Sequence, residues 1–305
     1  WERVRRPQFR QYGGETSGLH RSLDGGDTWS EMTNGLPSLA SSKGRISIDI
    51  SKSNPDVLYA RYANASGSIE GVYKTIDGGD LWTEVNSSAL DNVGFHWWFR
   101  GVVVDPSDEN TIYNVDFNVQ KSTDGGNSWS DAFPNAHVDQ HALAFNTMIP
   151  GTVLLGNDGG LHYSENDGAS YTKDLSLPIT QFYRVHVDAQ DDQKIYGGAQ
   201  DNNTIRTTTG STDDWSPIYG GDGFQPIVDH TDTNVIYALS QRGNLGKSIN
   251  NGASFSAATS GIASGDRKNW DTPVVMDPSD SQVLYYGANR LYKTTNAAGN
   301  WDVIS

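Results

Sequence analysis

The chain has 305 residues, no cysteine and a formal charge of −15, and only 19% of its residues are charged. No disulfide framework or thiolate chemistry is open to it, and the negative balance argues against non-specific binding to nucleic acid or an anionic membrane. No apolar run approaches the roughly 18 residues that span a bilayer, so no transmembrane segment is expected.

Its 33 Gly, 14 Tyr and 9 Trp suit a turn-dense all-β protein, in which glycine serves turns and aromatics serve strands. Trp1 is an improbable native start, so the natural N-terminus and any targeting segment are expected to lie outside the sequence.

The first ordered signal is Ser22-Leu23-Asp24-Gly25-Gly26-Asp27-Thr28-Trp29. This template, Ser/Thr-x-Asp-x-Gly-x-Thr/Ser-Trp, returns cleanly at Thr75–Trp82 and Ser122–Trp129. Weaker copies with Asn in place of Asp run Ser164–Tyr171, Ser248–Phe255 and Thr294–Trp301, and a decayed copy fills Thr208–Trp215. The closing aromatics fall about 40 to 53 residues apart, close to one four-stranded blade each. Each copy reads as a hairpin turn whose carboxylate accepts unpaired backbone N–H groups and whose glycine supplies positive φ. The closing aromatic is expected to pack between sheets.

A second element repeats in phase with the first. Ile46–Asp49 leads through a turn to Leu58-Tyr59, and Val102–Asp105 to Ile112-Tyr113. Val185–Asp188 leads to Ile195-Tyr196, Ile227–Asp229 to Ile236-Tyr237, and Val274–Asp277 to Leu284-Tyr285. The continuous apolar runs read as strands buried on both faces.

One unit is therefore strand A, turn, strand B, loop, strand C, recurrent turn, strand D. The expected fold is a seven-bladed β-propeller of four-stranded antiparallel blades, forming a single domain over residues 1–305 of a longer protein. Blade 1 is partial at 1–35. The others are placed near 44–88, 98–133, 140–175, 182–218, 224–258 and 270–305. Upstream blades or another chain are expected to complete the ring, because closure removes exposed edges.

At these motifs the chain resembles the Asp-box (BNR) propellers, a group that includes sialidases, xyloglucanase-type glycoside hydrolases and sortilin-like receptors. The likeness is to secreted bacterial repeat proteins labelled glycosyl hydrolase or sortilin-like. It is carried further by Trp1–Pro7, Gly13–Leu19, His137–His141, Gly156–Gly160, Gln181–Tyr183 and Gly197–Asn202. The resemblance implies an extracellular, cell-surface or periplasmic protein. Its partner would be a glycan or an extracellular protein, and no cofactor is implied. A sialidase reading fails, because the Arg-Ile-Pro signature is absent and Glu165 is the only Glu after position 109.

Topology separates scaffold from site. The A–B turns and recurrent turns share one rim, so the irregular D–A and B–C loops share the other. The ligand-binding candidates there are His96, Trp97, Trp98, Arg100, His137, His141, Asn157, Gln200, Asn202, Trp270 and Asp271. Asp139, Asp158, Asp201 and Asp222 form the pool from which glycoside hydrolysis would draw an acid and a base or nucleophile. Trp97, Trp98 and Trp270 would serve as platforms for sugar rings. His137, Asp139 and His141, at i, i+2 and i+4 on a strand, would share a face on which a divalent metal could sit. The function expected is recognition of an extended ligand, a polysaccharide first, with hydrolysis by paired aspartates as its enzymatic form. The alternative is a non-catalytic protein-binding or assembly propeller.

Overall fold

The computed structural model describes residues 2–6, 9–177 and 179–305. Trp1 and Pro7, both in the resembling N-terminal segment, lie outside the described residues. Among those described there is no α-helix, only one 3-10 turn at Gln241–Gly243, and no helix is long and apolar enough to cross a membrane. The chain divides into two compact units, Trp1–Leu177 and Pro178–Ser305.

The first unit opens with two short antiparallel pairs. These are β1 (Val4–Arg6) with β2 (Phe9–Gln11), and β3 (Leu19–Arg21) with β4 (Ser30–Met32). Three four-stranded sheets follow: β5 (Ile46–Ile50), β6 (Leu58–Ala63), β7 (Ile69–Thr75), β8 (Thr83–Val85); β9 (Gly101–Asp105), β10 (Asp108–Val115), β11 (Val119–Ser122), β12 (Ser130–Ala132); and β13 (Gln140–Phe145), β14 (Val153–Asn157), β15 (Gly160–Ser164), β16 (Thr172–Lys173). The second unit holds three more: β17 (Phe182–Asp188), β18 (Asp191–Ala199), β19 (Thr204–Thr207), β20 (Ser216–Tyr219); β21 (Ile227–Asp229), β22 (Asp232–Ser240), β23 (Asn244–Ser248), β24 (Ser256–Ala257); and β25 (Val274–Met276), β26 (Leu284–Gly287), β27 (Leu291–Thr294), β28 (Asp302–Val303). In every four-stranded sheet, sequence neighbours pair antiparallel as a simple meander. Each apolar run named above begins or lies within an A or B strand.

Six of the recurrent turns share one hydrogen-bond pattern. In the first, the Ser22 hydroxyl accepts Gly26 N–H at 2.8 Å while Asp24 Oδ1 accepts Thr28 N–H at 2.9 Å. Thr75 and Asp77 repeat it toward Gly79 and Leu81, and Ser122 and Asp124 toward Gly126 and Ser128. Asn166, Asn250 and Asn296 accept Ser170, Ser254 and Asn300 N–H at 2.8, 3.0 and 2.9 Å. An amide oxygen therefore replaces the carboxylate without changing the turn. The decayed copy differs from the expected frame. Its hydroxyl comes from Thr207, which accepts Gly210 N–H at 3.0 Å, and its carboxylate from Asp214, so the turn is wider and starts one residue earlier.

Packing between sheets follows a second rule. Cross-strand partners Tyr59 and Lys74, Tyr113 and Lys121, Tyr196 and Arg206, Tyr237 and Lys247, and Tyr285 and Lys293 each place a cation 5.4 to 5.8 Å from the ring centre. Four of these pairs reach the next sheet. Tyr59 donates its hydroxyl to Glu109 O at 2.8 Å, Tyr113 to Asp167 O at 3.3 Å, and Tyr237 to Ala297 O at 3.1 Å. Arg206 reaches Asn251 O at 2.7 Å, and Lys247 reaches Ala297 O at 2.8 Å.

Burial on both faces holds for β9 and β21 but not for every A strand. Ile48, Val185 and Val275 are 43, 58 and 58% exposed. The reason is position: β17 opens the second unit and β25 closes it, so no further sheet of that unit covers their outer faces, and only the short β3–β4 pair flanks β5. The same accounts for Trp29, which is 62% exposed, whereas Trp82 and Trp301, packed between sheets, are 2 and 1% exposed.

Two outcomes test this account. Tyr237→Phe removes one of two donors to Ala297 O and should cost about 1 kcal/mol in a urea melt, since Lys247 still satisfies the carbonyl. An unchanged midpoint would refute the inter-sheet bond. Ala297 is left-handed at φ 56, where three sister turns carry Gly25, Gly78 and Gly125. Ala297→Gly should therefore raise stability by about 1 kcal/mol, and a lower melting temperature would argue against strain at this turn.

Candidate functional site

In the first unit, the loop before β9 carries four sequence-predicted residues with three different fates. His96 is fully buried and is not available to a ligand. Its Nε2 accepts Val93 N–H at 3.0 Å, so the proton sits on Nδ1, which donates to Asp116 Oδ1 at 2.6 Å. Asp116 is also buried and ion-paired with Arg61, whose Nη2 donates to His96 O at 2.7 Å. Burial, reinforced by the Arg61 charge, pushes the His96 pKa down to about 4. Trp97 stacks on Tyr12 at 4.1 Å between ring centres, with the Arg3 guanidinium 5.3 Å from its ring. Trp98 is 54% exposed and stands edge-on to both Trp97 and His141. Arg100 is half-buried at the entry to β9.

His137, Asp139 and His141 do not gather as a metal site. Only Gln140 onward is strand, and Asp139 is left-handed at φ 67, so strand alternation does not carry these side chains to one face. His137 Nδ1 lies 2.9 Å from Val138 O, and His141 Nε2 pairs with Asp158 at 2.8 Å. Asp139 and Asp158 do approach, with carboxylate oxygens within 4.8 Å. Asn157 serves the fold: its amide donates to His137 O and to Gln140, and its oxygen accepts Gly159 N–H.

In the second unit the irregular loops bring four groups together: Tyr183 from β17, Asp201 from the β18–β19 loop, Asp222 from the loop before β21, and Trp270 from the loop before β25. Asp222 is 4% exposed and accepts Asp201 N–H at 3.0 Å. Burial raises its pKa above the ordinary carboxylate value; the neighbouring Asp201 carboxylate adds to the rise, and hydrogen bonds from Asp201 N–H and Trp270 oppose it. Asp201 is left-handed at φ 57, which turns its side chain toward Asp222. Burial likewise raises the Tyr183 pKa, and its phenol lies in reach of Trp270 and Asp222. Trp270 thus has its indole N–H turned inward while 46% of its surface stays exposed. Phe224 and Tyr183 pack beneath, with Phe224 edge-on to Trp270 at 6.2 Å and tilted by 30° against Tyr183 at 4.7 Å. Asp271 is held by Arg184 at 2.8 Å. Gln200 and Asn202 close the loop on themselves, with Asn202 donating to Gln200 O at 3.0 Å.

The sequence reading missed Arg45, Arg61, Asp91 and Asp116, which have no motif and meet only across strands. Tyr183 stood in a resembling segment but carried no assigned role.

No family model matches the chain, and no curated protein matches it. Solved structures similar to it include the GH74 enzyme of Niastella koreensis, at 16% identity and TM-score 0.46, covering 94% of this chain and 51% of that one. The GH74 xyloglucanase of Xanthomonas campestris is also similar, at 16% identity and TM-score 0.33, covering 91% and 50%. YCF48 from Cyanidioschyzon merolae shares 17% identity at TM-score 0.32, covering 85% and 84%. The chain spans about half the length of these two GH74 structures.

The buried imidazole predicts a pH dependence. An unfolded histidine titrates near its ordinary value while folded His96 stays neutral to about 4. Its contribution is complete above about pH 6.5 and is lost as pH falls toward 4, by up to about 3 kcal/mol. Asp24, Asp77 and Asp124, each held below the ordinary carboxylate value first by a donating hydroxyl, act only at lower pH. Denaturant melts from pH 7 to 4 should show a decline that His96→Gln reduces, the remainder coming from His162 and His186, which burial also holds below the ordinary imidazole value. A parallel slope in the variant would show that His96 is not the titrating group.

Proposed function

We propose that the chain is a propeller-type recognition module of the cell surface or exterior, binding an extended polysaccharide through its irregular loops. The single observation that carries this reading is Trp270. A half-exposed indole, tethered at its N–H and backed by Phe224, offers a rigid flat face beside two carboxyl groups. Sugar rings present an apolar C–H face and a rim of hydroxyls, so an aromatic plane flanked by acceptors complements them. Seven recurrent turns, one per blade, support the propeller reading as its scaffold.

A hydrolytic form draws support from Asp222, since a carboxyl whose pKa is raised by burial is what a general acid requires. Geometry weighs against it. Glycosidic cleavage places its carboxyl groups about 5 to 9.5 Å apart to admit the bond and the water. Asp201 and Asp222 are close enough to hydrogen-bond side chain to side chain. Such a pair shares one proton.

The two forms separate cleanly. On a panel of neutral and acidic plant and marine polysaccharides, affinity electrophoresis should show binding that Trp270→Ala weakens about tenfold or more. Asp222→Asn keeps the size of the side chain and an oxygen to accept Asp201 N–H, and should leave binding intact. Reducing-sugar release by the wild type that Asp222→Asn abolishes would establish the enzyme instead. Binding indifferent to Trp270→Ala would remove the proposed surface.

A further inference from the structure

Of the five tyrosine–cation pairs, four are engaged by the next sheet and one is not. Tyr59, Tyr113, Tyr196 and Tyr237 are fully buried against apolar residues of the following sheet. Tyr285 is only half-buried, and its cross-strand neighbour Val275 is 58% exposed. Lys293 lies 5.6 Å from the Tyr285 ring centre, yet neither side chain makes a hydrogen bond or ion pair among the described residues. The sheet β25–β28 thus presents a complete fastening pair with nothing fastened to it.

The engaged joints define what such a pair grips. At four of them the acceptor is the carbonyl of the fourth residue of the next turn, namely Gly78, Asp167, Asn251 or Ala297. Where β3 meets the second turn, Arg21 donates to Gly78 O at 2.9 Å and also to Asp80, the sixth residue, at 2.7 Å. The first turn, Ser22–Trp29, offers the same two groups ungripped. Its fourth residue is Gly25 and its sixth Asp27; both are exposed, and neither the Gly25 carbonyl nor the Asp27 carboxylate has a partner among the described residues. Trp29 is 62% exposed, whereas Trp82 and Trp301 at the same place in covered turns are buried. The wider turn that opens the second unit has Thr212 at its sixth position and so lacks the carboxylate.

We propose that the open face of β25–β28 receives the first turn of a second copy of this chain, with Tyr285 and Lys293 taking that copy's Gly25 carbonyl and Asp27 carboxylate. Charge and continuity choose the occupant. Lysine would meet Asp27 as Arg21 meets Asp80, and Val275 and Tyr285 would cover Trp29, so the contact repeats the joint already used inside each unit. Such a contact is head-to-tail: each copy contributes a face at one end and a turn at the other. It involves neither Trp270 nor Asp222 and stands apart from the recognition reading.

The test is sedimentation of the protein over a wide concentration range with no polysaccharide present. The mass should rise with concentration to that of a dimer or beyond. Lys293→Glu sets a carboxylate against Asp27, and Asp27→Arg sets a guanidinium against Lys293. Each should weaken association at least about tenfold. Neither side chain has a hydrogen bond within the chain to lose, so both variants should melt close to the wild type. Mixed in equal amounts, the two variants meet with opposite charges at both kinds of contact, and association should return. A wild type that stays a single chain at every concentration overturns the second copy as occupant. Association untouched by either variant overturns this face, and a loss that mixing does not restore overturns the head-to-tail pairing.

Discussion

Everything else in each unit depends on how one small sheet is fastened to the next. Isolated four-stranded meanders of two- to nine-residue strands bury little by themselves. The fastening is a tyrosine on the second strand and a basic residue directly across from it on the third, as in Tyr113 and Lys121. The ring fills the gap between sheets, and the hydroxyl or the cation satisfies a carbonyl that the neighbouring turn leaves open. Packing and hydrogen bonding are thus solved at one point. Tyr196 is the exception: its buried hydroxyl finds no hydrogen-bond partner, and Arg206 alone reaches the Asn251 carbonyl.

The recurrent turns show how loosely such a motif can be written. The turn needs one hydroxyl acceptor, one side-chain oxygen two residues later and a tight left-handed stretch. Asp and Asn meet the second need equally, while Asp167, Asn251 and even Ala297 and Ala298 take left-handed positions that glycine holds elsewhere. Left-handed backbone outside the recurrent turns is different. Asp139 adopts it just before β13, and Asp201 and Arg242 adopt it in the turns that join β18 to β19 and β22 to β23.

The loops themselves divide by burial. The loop before β9 turns inward, where His96, Asp116 and Arg61 form a polar network whose proton positions follow from its hydrogen bonds. The loops of the second unit present Trp270 outward over a buried Asp222. Desolvation acts on both in opposite directions: it lowers the His96 pKa and raises that of Asp222, because the charged form is disfavoured out of water.

Periodicity made the all-β class, the meander of each sheet and nearly every strand legible from the sequence, because each turn and each B-strand tyrosine obeys local chemistry that repeats with the chain. Sequence also singled out Asp201, Asp222 and Trp270 as departures from that rhythm. It could not say that His96 is sealed from solvent, that Asp139 leaves the strand it seemed to share with His137 and His141, or that Arg61 meets Asp116. Those facts are set by which faces meet across strands far apart in sequence, and by how much water reaches them. Neither is encoded in the spacing of residues along one strand.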